Sequence, residues 1–361
     1  MKKVLVWLSW WVDSAVSAYL LKKQWYEVTA WFMINYLAPE GEKCPTMDDI
    51  KVAKEVAAFL DIPFFTFDYR DTYSSKVLDY MYEGYKKWIT PNPDIMCNSE
   101  VKFKVFLEEA LEHGFDMIAT GHYARISPPP NPLPVKEGGE YHLLKWIDNN
   151  KDQSYFLAWL NQEQLSKALF PIWELEKSEV RKIALDAWLP NANRKDSQWI
   201  CFVWKVDMSK FLEKKIKPKP GIVKDTKWNI LWEHKWVYYY TIWQRKGLDI
   251  WWQAEPIFVV KKDIEKNEII VWTTRDLELY DDKLFIDKIH FLSSLPARGE
   301  LERGLKCKCK IRYRQADQDC TVYKEKKWYR IEFKETQRAI ASWQICAIYS
   351  DKELIMSGVI S

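Results

Sequence analysis

The first 120 residues alternate short apolar runs with amphipathic stretches, and that alternation restricts them to a parallel sheet joined by helical crossovers. Residues 3–8 predict a buried strand. Residues 13–24 predict a helix, with Val16, Tyr19, Leu20 and Lys23 at helical spacing. Residues 27–33 predict a second strand, 48–60 a helix and 63–67 a third strand. Phe103, Phe106, Leu107, Ala110 and Leu111 fall on one helix face, and residues 116–120 predict the next strand. In an α/β sheet of this kind the ligand site is expected at the C-terminal strand ends.

Beyond the sheet the pattern changes. Residues 127–140, SPPPNPLPVKEGGE, hold five prolines and two glycines, so they predict an exposed loop between two short strands. Helices are expected at 162–169 and 177–187. Lysine-rich short strands follow from about residue 206, and strands with turns from about 283, a small β-domain or barrel. A chain of 361 residues, 48% apolar and 29% charged, reads as a soluble globular protein of two or three domains. It holds no run of about 18 uncharged apolar residues, and MKKVLV leads straight into a strand. We expect no membrane span, no signal peptide and a cytoplasmic location. Net charge is only +3, but residues 205–235 and 303–330 are basic. Seven cysteines without a CxxC pair argue against a disulfide framework or a zinc knuckle.

Two counts are abnormal: 21 tryptophans and 11 glycines. A chain of this length would ordinarily hold about 25 glycines. Trp25 and Trp188 lie just past predicted helix ends, where the left-handed conformation favours glycine, and Pro190 follows Trp188. A β-carbon in that conformation costs about 1 kcal/mol.

Several motifs carry chemistry. SWWVDS, residues 9–14, lies between a strand and a helix; read with glycines it is a phosphate cradle, its serines donating and Asp13 holding Mg²⁺ or capping the helix. TPNPDIMCNSEVKF, residues 90–103, sets Asp94 and Cys97 three apart ahead of a helix, where a thiol's pKa falls and a carboxylate can move protons. A buried structural cysteine is the plainer alternative. ATGHYARI, residues 119–126, offers Gly121 for close backbone approach to a ligand, beside His122. Cys201, in DSQWICFVW, lies about a hundred residues after Cys97; two cytosolic cysteines can act as a persulfide and its resolving thiol. In KCKCKIRYR, Lys306, Lys308, Lys310, Arg312 and Arg314 alternate with Cys307, Cys309, Ile311 and Tyr313. As one strand this gives a basic face suited to a phosphate backbone, with both cysteines turned inward.

In this order SWWVDS, TPNPDIMCN, ATGHYARI, KDQSYFL, DSQWICF and YYTIWQRKGL, with IRYRQ and SWQ near the end, resemble the bacterial tRNA-specific 2-thiouridylases, the MnmA family. The resemblance covers essentially the whole chain. It implies an α/β fold: a parallel-sheet PP-loop ATP-pyrophosphatase domain (1–205), a small central tRNA-binding domain (206–280) and a C-terminal β-barrel (281–361). It implies ATP at Trp7, Leu8, Ser9, Trp10, Trp11, Val12, Asp13 and Ser14, with Met33 and Gly121 around the adenine, Mg²⁺ accompanying the nucleotide and no other metal site. Adenylation would activate the C2 oxygen of the wobble uridine. A persulfide on Cys201, loaded by a sulfur-relay protein or cysteine desulfurase, would supply sulfur. Cys97 would attack the activated carbon or resolve the persulfide, with Asp94 as acid–base group. The implied tRNA contacts are Asn92, Pro93, Asp94, His122, Lys151, Asp152, Gln153, Arg312, Tyr313 and Gln344.

Departures from the family pattern take one form. At Trp7, Trp10, Trp11, Trp199, Trp243 and Trp343 the family pattern has glycine. A cell that reads UGA as glycine, its gene translated with UGA as tryptophan, would produce this exchange, and Gly121 and Gly247 would survive through ordinary codons. Two rival functions remain: another PP-loop amidotransferase or ligase, sharing only the first motif, and a catalytically inactive tRNA-binding homologue, should the tryptophans fill the phosphate volume.

Overall fold

The computed structural model describes residues 1–37, 45–87, 91–128, 139–148, 151–194, 217–240, 257–263, 265–273, 280–294, 299–338 and 340–361, with isolated positions between 212 and 248. Cys201, Trp199, Trp243, Gly247 and most of the proline-rich stretch lie outside the described residues.

Val4, Leu5 and Val6 are fully buried, and β1 (Lys3–Trp7) accordingly takes the centre of a five-stranded parallel sheet. Its order is β3 (Phe64–Asp68), β2 (Glu27–Ile34), β1, β4 (Met117–Ala119) and β7 (Ala168–Leu169). The helices Val12–Lys23 and Pro45–Phe59 make the crossovers from β1 to β2 and from β2 to β3. Because β2 and β4 flank β1 on opposite sides, the loops after β1 and β4 diverge and leave a crevice between them. At that crevice a β-carbon on Gly121 would lie 2.8 Å from the Ser14 amide nitrogen. The close approach that glycine permits is thus to the first turn of the helix that follows β1.

The hairpin β5 (Arg125–Ser127) and β6 (His142–Leu144) flanks the proline-rich stretch, as expected. β8 (Gly221–Asp225), β9 (Ile230–His234), β10 (Ile257–Asp263) and β11 (Glu268–Thr273) form a separate four-stranded sheet. β12 (Tyr280–Phe291), β15 (Tyr329–Arg338), β14 (Gln318–Lys324), β13 (Leu305–Lys310), β16 (Ile345–Ser350) and β17 (Glu353–Ile360) follow one another in space, and β12 pairs with β17 to close the barrel. The hairpin joins this barrel sheet, with Leu144 opposite Glu353 and the Lys145 amide donating to the Lys352 carbonyl.

The basic stripe is not one strand face. Lys306 is exposed and Lys308 half-buried, but Lys310 is buried, and β13 ends there. The Ile311 amide donates to the Gln315 side chain instead of a neighbouring strand, so Arg312 and Arg314 lie in a turn. Cys309 does point into the barrel core; Cys307 is half-buried, its sulfur 3.6 Å from that of Cys320.

Four tryptophans adopt left-handed backbone: Trp25 (φ 63°), Trp188 (φ 56°), Trp228 (φ 67°) and Trp343 (φ 70°). Trp25 and Trp188 end helices in the same way. The Trp25 amide donates to the Lys22 carbonyl and that of Tyr26 to Leu21; those of Trp188 and Leu189 donate to Leu185 and Ala184. Gly114, at φ 79°, ends the helix before β4 with the same pair of bonds. Each left-handed L-residue costs about 1–2 kcal/mol. At 80%, 83%, 61% and 41% exposure, packing offsets little of it for these four.

Candidate active site

A cavity of about 460 Å³ opens at the C-terminal ends of β1, β2 and β4. Trp7, Ser9, Trp10, Trp11, Asp13 and Ser14 form one wall, with Met33 at the end of β2 and Gly121 and His122 after β4. Asp94 and Cys97 face it from a helical run over residues 93–112, and Gln153, Tyr313 and Arg314 complete the rim. The structure therefore gathers residues from six segments that the sequence separates by up to about three hundred positions. Leu8 and Val12 belong to the core beneath the loop and do not line the cavity.

The loop is tied by its own hydroxyls. Ser14 Oγ lies 2.9 Å from Ser9 Oγ and donates to the Trp11 carbonyl at 3.0 Å. Trp11 takes the helix-capping position without a side-chain cap, so Asp13 is not the cap that local sequence suggested. Its carboxylate accepts instead from the Tyr123 hydroxyl at 2.6 Å and pairs with Lys177. Local sequence gave no sign of this clasp, because its partners lie 110 and 164 residues away. The Trp10 and Trp11 rings, 5.1 Å apart, line the loop side of the cavity.

The opposing helix starts at Pro93, with Asn92 as its cap: the Asn92 side chain accepts from the Ile95 amide at 3.3 Å. Asp94 falls in the first turn. At Cys97 the helix widens to i→i+5 hydrogen bonding through Val105, a rare geometry that recurs at functional sites. In this wide helix Lys102, five residues after Cys97, lines the same cavity. It is buried, with its ammonium 4.8 Å from the Trp7 ring centre. Regular α-helical spacing would separate residues five apart, which is why sequence reasoning missed Lys102.

His122 is buried and bonded through Nδ1 to the Thr120 hydroxyl at 2.6 Å. Burial first, and then the Lys102 cation, hold its pKa well below the usual histidine value. It is therefore a neutral hydrogen-bonding group. The unfolded chain takes up a proton here below about pH 6.5, whereas the native chain does so only at lower pH. This contribution to stability is complete above about pH 6.5 and is lost as pH falls, by up to about 1.4 kcal/mol per unit. His122→Gln should flatten the fall in Tm between about pH 7 and pH 5; an unchanged slope would mean that native His122 protonates freely.

The other expected RNA contacts divide. Gln153 lines the cavity while accepting from the Tyr123 amide at 2.9 Å, and Tyr313 packs against Phe156 with the rings tilted by 41° and their centres 4.3 Å apart. Asp152 is only 3% exposed: it accepts from the Trp146 and Ser154 amides, the Ser154 hydroxyl and Lys310. It faces the domain junction, not the cavity. Pro93 is buried, and Arg312 donates to the Arg338 carbonyl. Asn92, Lys151, Arg312 and Gln344 do not line the cavity. Among the described residues no cluster of three or more histidine, cysteine or acidic side chains is arranged for a metal, and no helix is long and apolar enough to cross a membrane.

Family models match nearly end to end: a tRNA methyl transferase HUP domain over residues 2–205, a tRNA methyl transferase PRC-barrel domain over 209–273 and an aminomethyltransferase β-barrel domain over 281–360. A tRNA-specific 2-thiouridylase MnmA of Christiangramia forsetii is 41% identical over the whole of both chains. One of Shouchella clausii is 41% identical over 99% of this chain and 96% of its own. A strand–loop–helix turn facing a cysteine within this three-part architecture agrees with that likeness, and the chain belongs to the tRNA-specific 2-thiouridylase family.

Proposed function

We propose that this chain replaces the C2 oxygen of the wobble uridine in tRNA with sulfur, at the expense of ATP. The observation that carries the reading is the single cavity shared by the loop of residues 9–14, Asp94 and Cys97. A uridine oxygen is a poor leaving group. Transfer of the adenylyl group from ATP to that oxygen, with pyrophosphate released, makes it one. The helix that begins at Val12 turns its positive end toward the cavity and suits the phosphates of ATP. Asp13 and Asp49 both line the cavity and offer the oxygen ligands a Mg²⁺ accompanying ATP prefers. Their present partners, Lys177 and Arg194, would then serve the phosphates.

Sulfur comes from a persulfide on Cys201, loaded by a relay protein or cysteine desulfurase in the cytoplasm. Its outer sulfur attacks C2 and AMP departs. Cys97 then attacks the Cys201 sulfur, leaving a Cys97–Cys201 disulfide for a cellular thiol to reduce. In the other order Cys97 attacks C2 first and displaces AMP; the outer sulfur of the persulfide then displaces the Cys97 thiolate from C2, and that thiolate breaks the S–S bond as before, leaving the same disulfide. Asp94, in the first helical turn on the cavity wall, is placed to move the protons.

The family models' descriptions speak of methyl transfer, but a phosphate loop opposite a cysteine suits activation followed by sulfur attack. The test incubates the chain with tRNA, ATP and a persulfide-loaded sulfurtransferase, then digests the tRNA for nucleoside mass spectrometry. We expect 2-thiouridine at the wobble position, with one AMP per sulfur, and none without ATP. Tight tRNA binding without thiolation would favour the inactive homologue. AMP formation that ignores both cysteines would favour another PP-loop enzyme.

A further inference from the structure

The backbone and the core object to tryptophan in two separate ways. On the surface, Trp25, Trp188, Trp228 and Trp343 hold the left-handed conformation in which glycine is at home, and Trp25 and Trp188 reproduce the helix ending of Gly114. In the interior, the indole N–H groups of Trp31, Trp146, Trp159, Trp232 and Trp272 are buried without an acceptor. A buried tryptophan normally finds one. The left-handed conformation is also held by Asp61, Asn267, Lys288, Arg314 and Asp351, residue types smaller or more flexible than tryptophan; at the tryptophans, the backbone and the unsatisfied indoles both point to loss of the side chain.

We infer that the protein made in its own cell carries glycine at these tryptophan positions and, by the same exchange, at residues 7, 10 and 11. Removing the indoles of Trp7, Trp10 and Trp11 clears the loop side of the cavity. It also frees the backbone at residues 10 and 11 to turn its N–H groups toward a pyrophosphate. Ser9, Asp13, Ser14 and the helix start at Val12 need no change. The backbone and packing observations stand whatever reaction follows, so failure of the thiolation assay would leave the inference intact.

Peptide mass spectrometry of the protein from its own organism is the direct test. The tryptic peptide of residues 4–22 should be lighter by three tryptophan-to-glycine differences, and the codons for residues 7, 10 and 11 should be UGA. Tryptophan in that native peptide, or UGG codons, overturns the inference. A second measurement needs no native source. A chain with Trp7→Gly, Trp10→Gly and Trp11→Gly should bind ATP at least about tenfold more tightly than the chain as written, in calorimetry without tRNA. Equal or weaker ATP binding overturns the inference for residues 7, 10 and 11. Trp25→Gly with Trp188→Gly should raise Tm in a chain otherwise unaltered, and a fall in Tm contradicts the reading of those helix ends.

Discussion

Alanine at Cys97 abolishes thiolation, lowering the rate by more than about a thousandfold. Both orders of sulfur transfer require this thiol, and no other described cysteine lines the cavity. Cys307, Cys309 and Cys320 lie in the barrel, and hydrogen bonding with neighbouring thiols, followed by burial, leaves the Cys307 and Cys309 pKa values raised, away from reactivity. The informative readout is pyrophosphate. If adenylation precedes attack by Cys97, the alanine variant still releases about one pyrophosphate per bound tRNA and then stalls. Asp94→Asn should instead slow the reaction by about a hundredfold or more without changing its products. Thiolation surviving in Cys97→Ala within about tenfold would remove this cysteine from the mechanism.

Methionine at Lys310 costs about 3–5 kcal/mol of stability. Lys310 and Asp152 form an ion pair at 3.0 Å with side chains 4% and 0% exposed. Lys145 binds Asp317 at 2.6 Å beside them, and the Ser154 hydroxyl joins Asp152 to Tyr349. Removing the lysine leaves a buried carboxylate without its cation. A fall in Tm on the order of 10 °C is expected. Asp152→Asn added to Lys310→Met should recover most of it, because the penalty lies in the unpaired charge and not in the lost attraction. A double variant no better than the single one would show that packing, not charge, sets the cost. The pair also spans the sheet domain and the barrel, so the single variant should loosen the rim around Gln153, visible as a higher KM for tRNA.

What could be read from sequence follows from the range of the interaction. The strands at 3–8, 27–33 and 63–67 match β1, β2 and β3 within a residue or two; for β1 and β2 burial on both faces writes itself as an apolar run, whereas β3 is an edge strand whose Phe65 and Thr66 are exposed. The left-handed helix ends at Trp25 and Trp188 were legible too, since that signal spans only a few residues. The phosphate loop, Asp94 and Cys97 were recognisable as motifs, but their convergence on one cavity belongs to the fold. Local reading failed where distant residues took over: Tyr123 and Lys177 hold Asp13, and Lys310 leaves its stripe to pair with Asp152. Lys102 escaped for a subtler reason, a helix whose period is not 3.6 residues.

The hairpin that joins the barrel sheet sets an order of events during synthesis. Leu144 leaves the ribosome about 200 residues before Glu353, the residue it pairs with. At about 5–20 residues per second the hairpin waits about 10–40 s for its neighbour. Three-residue strands offer little template to other chains during that interval. The last strand to emerge, β17, then closes the barrel against β12 and covers the waiting hairpin. A nascent chain arrested before Glu353 leaves both halves unfinished, however complete its phosphate loop.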